Sequence, residues 1–225
     1  MKDYQEILLT CPLFRNIDPA DLPGMLACLG ARVDFFDRKY TIFAEGIPAR
    51  YVGIVLSGRV QIERTDYRGN RDLIGMAGPG EMFGESFAAA GESHLPLSVV
   101  AAEESRIMLI DCRRILHPCE NHCHFHQQLI FNLMQDIARK SVLFHRRLQI
   151  LSCRTTREKL LTYLSLTAKE QGSREFVIPF DRQALADYLQ VERSGLSAQI
   201  GQLVREGVLT THKNHFCLLR IPEED

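Results

Sequence analysis

The hydrophobic positions of this chain change period twice. In residues 8–29 they come in short helical runs broken by Pro12 and Pro19. Leu22, Met25, Leu26 and Leu29 recur every three or four residues, and Gly30 is placed to close that helix. From residue 32 to 111 the pattern becomes one of strands: 33–36, 41–43, 52–56, 60–62, 73–74, 99–102 and 106–110. Turn signals at Gly46, Gly58, Gly69, residues 78–80 and Gly91 separate them. Such a series predicts a closed or sandwiched β structure of about eight strands, able to enclose a small ligand.

The helical period returns over residues 123–151, which contain neither Pro nor Gly. At 1.5 Å per residue this predicts a single helix of roughly 40 Å, longer than a small domain needs internally. Ile130, Leu133, Ile137, Ser141, Phe144, Leu148 and Leu151 follow one another at intervals of three and four, as a heptad seam does. Leu129, Met134, Ala138 and Val142 form a second apolar flank. One flank is expected to cover the β structure while the seam meets an identical helix. A helix buried wholly inside one chain is the alternative.

Beyond a hinge at 152–155, with Thr155 or Thr156 as cap, residues 159–169 read as a helix and 176–180 as a short strand. Two short helices follow. Asp181 is a candidate cap for the first, Val191 sits in the break, and Leu196, Ile200, Leu203 and Val204 line the second up to a stop at Gly207. Residues 208–211 and 215–219 then pair about a polar turn at 212–214. The helices alone also describe an ordinary helical hairpin. The β-hairpin behind them favours a winged helix-turn-helix, whose second helix can enter a DNA major groove. The expected organisation is 1–122, 123–151 and 152–225.

Composition changes this picture little. Hydrophobic residues are 45% and charged residues 24%, as in ordinary globular proteins, and no apolar run approaches the roughly 18 residues of a membrane span. With a polar N-terminus, this predicts a cytoplasmic protein and no membrane partner. Seven cysteines, an odd number without a framework, suit reduced thiols. The net charge is −1, and residues 153–225 hold ten lysines and arginines against ten aspartates and glutamates. Phosphate binding therefore has to come from clustering of cations and not from their number.

One constellation carries possible metal chemistry. If residues 119–126 are helical, Cys119, Cys123 and His126 lie at i, i+4 and i+7, with His122 beside them. Thiolate and imidazole at that spacing suit zinc or another transition metal, or a thiol redox switch. The same residues also describe a helix entrance with half-buried thiols and solvated histidines.

A β domain, a long helix and a winged helix-turn-helix, in that order, resemble the CRP/FNR family of bacterial transcription regulators. The markers are residues 51–58 (YVGIVLSG), 78–85 (GPGEMFGE), 157–161 (REKLL), 182–189 (RQALADYL) and 193–197 (RSGLS). The resemblance implies an α+β fold: an N-terminal β-roll (a cupin-like double-stranded β-helix), a dimerisation helix and a C-terminal winged helix-turn-helix. It implies a homodimer that reads a palindromic site on double-stranded DNA, RNA polymerase as a partner if it activates, a small-molecule effector, and no enzymatic activity. No His–Cys pair stands in a recognisable catalytic context either.

In nucleotide-binding members of the family an Arg-Ser pair holds the cyclic phosphate near the end of the segment that begins Gly-Glu. Here that segment begins at Gly84 and Glu85, and the pair falls on Leu95 and Pro96, which cannot partner a phosphate. Phe144 and His145 stand where the base would be met. This argues against cyclic AMP and for a more apolar effector near Phe83, Gly84, Glu85, Ser86, His94, Leu95 and Pro96. An iron–sulfur cluster would need grouped cysteines before the β domain, where only Cys11 and Cys28 occur, far apart. On the DNA side, Arg193 is the expected guanine reader, with Ser194 and Ser197 on bases or phosphates. Ala198 replaces an arginine common in relatives, for which Gln199 and Gln202 are candidate substitutes. Arg154, Arg182, His212 and Lys213 are expected at phosphates.

Overall fold

A computed structural model describes residues 4–65, 71–117 and 125–220. Contacts divide the chain into two compact units, residues 1–139 and 140–225, so the division falls inside the long helix, not at its two ends.

The first unit begins with α1 (Gln5–Thr10) and α2 (Leu22–Cys28). Eight strands then make two antiparallel four-stranded sheets. One is ordered β1 (Arg32–Phe36), β8 (Ser105–Asp111), β3 (Tyr51–Ser57), β6 (Met82–Phe83). The other is β2 (Thr41–Phe43), β7 (Ser98–Ala101), β4 (Val60–Thr65), β5 (Arg71–Ala77). The strand count of the sequence reading holds, with the two-residue β6 supplied by a segment that had carried no strand signal.

Strand alternation explains the layering. In β3 and β8, Val55, Ile107 and Leu109 point between the sheets, where Phe43, Val60, Phe83 and Val99 meet them. Val52, Ile54, Leu56, Met108 and Ile110 point the other way, onto Leu13, Phe14, Met25 and Ile115. Both faces are buried, which is why these strands read as unbroken apolar runs. Gly53 interrupts the run for a steric reason: a Cβ there would fall inside the Phe83 ring. The roll is completed by α3 (Glu85–Ala90) and α4 (Cys112–Leu116).

The long helix α5 runs from His126 to Ser152. Its first half belongs to the first unit. Leu129 and Leu133 are buried in the core, and Asn132 donates to the carbonyls of Leu13 and Arg15, both at 2.8 Å. This corrects the seam read from the sequence. Leu133, expected at a dimer interface, is 1% exposed within its own unit, while Ile130 and Ile137 are half-buried and Ile137 packs on the same core. The large apolar side chains exposed in this half are Phe131 and Met134. In the second half Ser141, Phe144 and Leu148 are exposed, and so are Val142 and Leu143.

The second unit holds α6 (Thr156–Gln171), β9 (Glu175–Val177), α7 (Arg182–Leu189), α8 (Arg193–Arg205) and the hairpin β10 (Leu209–His212)–β11 (His215–Leu218). The three strands form one sheet ordered β10-β11-β9. Thr155 and Glu158 make a reciprocal capping box at the start of α6. The Asp181 carboxylate accepts from the Ala184 N–H at 2.8 Å, capping α7. Ile150 from α5, Leu164, Leu185, Leu189, Leu196, Leu203 and Phe216 fill the core, and Val191 packs against it from the break between α7 and α8.

Candidate functional site

Two places in this architecture carry candidate chemistry, one in each unit. The turn between α7 and α8 is made by Gln190, whose φ of 52° reverses the chain, and by Val191, whose N–H donates back to the Ala186 carbonyl at 3.0 Å. Leu196, Ile200 and Leu203 then share one arc of α8 and are buried. Arg193, Ser194, Ser197 and Ala198 are exposed over its first turns. Arg193 has no partner among the described residues, so its guanidinium is available to a base edge.

The other expected contacts are placed differently. Gln199 and Gln202 are drawn into a chain along the flank of α8. The Gln199 amide donates to Gln202 at 3.5 Å, Gln202 donates to Glu206 at 2.8 Å, and Arg157 of α6 donates to Glu206 at 2.6 Å. The Arg157 hydrogen bond, helped by Gln202, holds the Glu206 carboxyl below its usual range. Arg182, expected at a phosphate, is turned toward the wing. Its guanidinium lies 5.6 Å from the Phe216 ring centroid and donates to the Lys213 carbonyl at 3.3 Å, and burial lowers its pKa. Lys213 itself stands exposed at the wing turn with a φ of 56°. The Asn214 side chain fixes that turn by donating to the Ile178 carbonyl at 3.1 Å.

In the β-roll, a cavity of about 220 Å³ is lined by residues 47–51 together with Phe43, Gly84 and Leu95. Of the residues expected around an effector, Gly84 and Leu95 are at this cavity. Phe83 is not free to meet a ligand there: it is 1% exposed and packs on Phe43 with ring centroids 5.4 Å apart. Glu85 is buried in the first turn of α3, where it accepts from the Ser86 hydroxyl at 3.2 Å. Ser86, His94 and Pro96 are exposed and do not line the cavity, and His94 shares a 2.8 Å hydrogen bond with Ser93. Leu95 is 3% exposed, and both its backbone groups are taken: its N–H donates to Ile47 and its carbonyl accepts from Gly46, each at 2.8 Å.

The sequence reading had missed the 47–51 side of the cavity and its arginine. Arg50 donates from Nε to the Asp111 carboxylate at 2.8 Å. Partial burial pushes the Asp111 carboxyl up, but the Arg50 hydrogen bond and the Arg113 N–H outweigh it and bring the group below its ordinary value. The guanidinium lies 5.3 Å from the Tyr51 ring centroid, and Arg32 lies 5.0 Å from the same ring. The signal that could have found this side is the turn at Gly46 followed by Pro48, just before the buried strand β3.

Of the candidate metal ligands, Cys119 and Cys123 lie outside the described residues. His126 is 3% exposed, stacks on Phe125 and shares a 3.1 Å hydrogen bond between Nε2 and the Arg114 carbonyl. Among the described residues no group of three or more His, Cys, Asp or Glu is placed to hold a metal. Burial, with Asp111 and Glu85 adding to it, pushes the neighbouring Cys112 thiol up to about 11, which makes it a packing residue and not a reactive thiolate. No helix among the described residues is long and apolar enough to cross a membrane.

A β-roll followed by a winged helix-turn-helix is the architecture of a transcription regulator. Comparison with known proteins makes this specific. The cyclic nucleotide-binding domain family matches residues 33–122, and the Crp-like helix-turn-helix domain family matches residues 158–223. The chain belongs to the CRP/FNR family of transcription regulators. It is 38% identical over 80 residues to the CRP-like cAMP-activated global transcriptional regulator of Mycobacterium tuberculosis, a match spanning 36% of this chain and 35% of that protein. The transcriptional activator protein FnrL of Cereibacter sphaeroides is 23% identical over 180 residues, covering 75% of this chain and 68% of the relative. The solved catabolite activator protein of Thermus thermophilus shares the fold, with a TM-score of 0.55 at 24% identity over 92% of this chain and 93% of that one.

Proposed function

We propose that this chain acts as a homodimer that binds a near-palindromic DNA site through α8 and the wing, gated by a small effector in the β-roll other than cyclic AMP. The observation that carries the DNA reading is the start of α8. Arg193, Ser194 and Ser197 are exposed together on a helix whose opposite side is buried, and Lys213 is exposed on the wing. Side chains that read bases have to be clear of other partners, and phosphate contacts from a wing set the register. Dimerisation rests on α5, where Phe131, Met134, Phe144 and Leu148 leave large apolar surfaces in water unless a second copy covers them.

The mycobacterial relative is by its name activated by cyclic AMP. This chain places a buried leucine, its N–H already donated to Ile47, where the phosphate clamp would stand. A phosphate set at that position would find no cation and no side-chain donor in Leu95 or Pro96, which disfavours it there. The test is selection of genomic fragments bound by the purified protein, followed by sedimentation of the protein–DNA complex. A palindrome bound by two chains is expected. A monomer at micromolar concentration, or tight calorimetric binding of cyclic AMP, overturns the corresponding part of the reading.

A further inference from the structure

We infer that the β-roll cavity is a site for a small monocarboxylate with an aromatic or short aliphatic body, anchored at its charged end by Arg50. This rests on the reading above, that the roll takes an effector other than a cyclic nucleotide, and it gives that effector a chemical class.

The size of the cavity is the first constraint. About 220 Å³ lies below the roughly 300–1,000 Å³ of sites for drug-sized ligands and suits a single ring or a short chain. The lining is the second. Phe43, Ile47, Pro48, Ala49 and Leu95 offer no side-chain donor or acceptor, and Tyr51 beside Arg50 is the one other polar side chain of the lining, so the body of the ligand has to be largely apolar. Ile47 is 42% exposed, an apolar side chain left in water that a seated ligand would help to cover.

The third constraint is the charge. Asp111 accepts from Nε of Arg50, and no other polar partner of this guanidinium is found among the described residues. Its terminal nitrogens are therefore open, in the planar geometry that receives a carboxylate through two parallel hydrogen bonds. Asp111 and the Tyr51 ring hold the guanidinium in place, and Arg32, itself 3.1 Å from Asp34, adds a second cation over the same ring. The nearby Asp34 and Asp111 carboxylates already balance much of this charge, which fits one added negative charge better than a phosphate dianion. The loop is pre-shaped by the paired backbones of Gly46, Ile47 and Leu95, so binding requires little ordering.

The test uses the full-length protein with benzoate, phenylacetate and hexanoate, each against its neutral amide, followed by ligand-observed NMR and calorimetry. The acids should bind and the amides should bind much more weakly. Arg50→Gln should weaken the acids by roughly tenfold or more, as expected for loss of a charge-assisted pair. Because Arg50→Gln also disturbs Asp111, Ala49→Trp provides a second variant. It fills the cavity, leaves the Arg50–Asp111 pair intact, and should abolish acid binding. The aromatic and aliphatic arms report which body the cavity prefers. Equal binding of acid and amide, unchanged binding by either variant, or no binding of any acid at millimolar concentration overturns the proposal. Operator binding is measured separately, with and without acid. Acid binding by a protein that binds no DNA would leave this site standing and remove the regulator reading. Operator binding without acid binding would do the reverse.

Discussion

The guanidinium carbon of Arg147 lies 5.5 Å from the ring centroid of Tyr188. Arg147 is on α5 and Tyr188 on α7, so this contact ties the end of the long helix to the first helix of the helix-turn-helix. Tyr188 also stacks on Phe180, with centroids 4.9 Å apart, and both rings meet Tyr163 of α6. A cation held over an aromatic face contributes about 0.5–2 kcal/mol, depending on how far it is desolvated. Arg147→Met, which keeps much of the apolar contact, should lower the melting temperature by a few degrees. In a cycle with Tyr188→Leu the two effects should be less than additive. Strict additivity would show that the pair contributes nothing.

Arg193→Ala should remove site-specific DNA binding and leave the fold and the dimer unchanged. Loss of a bidentate guanine contact corresponds to about 1–3 kcal/mol of discrimination. Fluorescence anisotropy with the selected operator and a scrambled duplex measures it. The operator should fall toward the scrambled affinity, and an unchanged ratio of the two would refute the assignment.

Gly53→Ala should destabilise the first unit. The added methyl meets the Phe83 ring, which is held between Phe43 and the strands and has nowhere to retreat. Overpacking of this kind typically costs about 1–3 kcal/mol. Thermal unfolding followed by circular dichroism would report it, and a melting temperature equal to that of the unaltered protein would contradict the packing described.

The Asp111 carboxyl titrates below its ordinary value. A depressed carboxylate stabilises the fold above its unfolded pKa of about 3.9, and that contribution is lost as the pH falls through the folded value. The urea midpoint should therefore decline as the pH is lowered below about 4. Asp111→Asn should start lower at neutral pH and lose less on acidification. Parallel pH profiles for the two proteins would exclude Asp111 as a source of acid sensitivity.

Much of this fold is legible in the sequence because it depends on local pattern. The runs at 52–56 and 106–110, the caps at Thr155 and Asp181, and the wing around Lys213 all follow from residue type and spacing. What depends on tertiary partners is not legible in that way. Heptad intervals on α5 identify apolar flanks but not which flank the β-roll covers, so they do not reveal that Leu133 is buried against it. Gln199 and Gln202 have the chemistry of base readers, yet Glu206, held by Arg157, engages Gln202, and Gln202 in turn engages Gln199. Arg50 looks like any surface arginine until the turn at Gly46 brings it to the rim of the roll beside Asp111.

Several acids of the DNA-binding unit have structural tasks. Glu158 and Asp181 cap helices, and Glu206 is neutralised by Arg157. An evenly charged unit can in this way still present locally uncompensated cations, such as Arg193 and Lys213, to a duplex. Binding should then expel condensed counterions from the DNA, and the slope of log affinity against log salt concentration should count the cations on the reading face, whatever the formal sum over the unit. A titration in sodium chloride with a distinctly negative slope, shallower by about one in Lys213→Ala, is the expected result. Electroneutrality of the unit would then describe how its helices are fastened and say little about how strongly it is drawn to a polyanion.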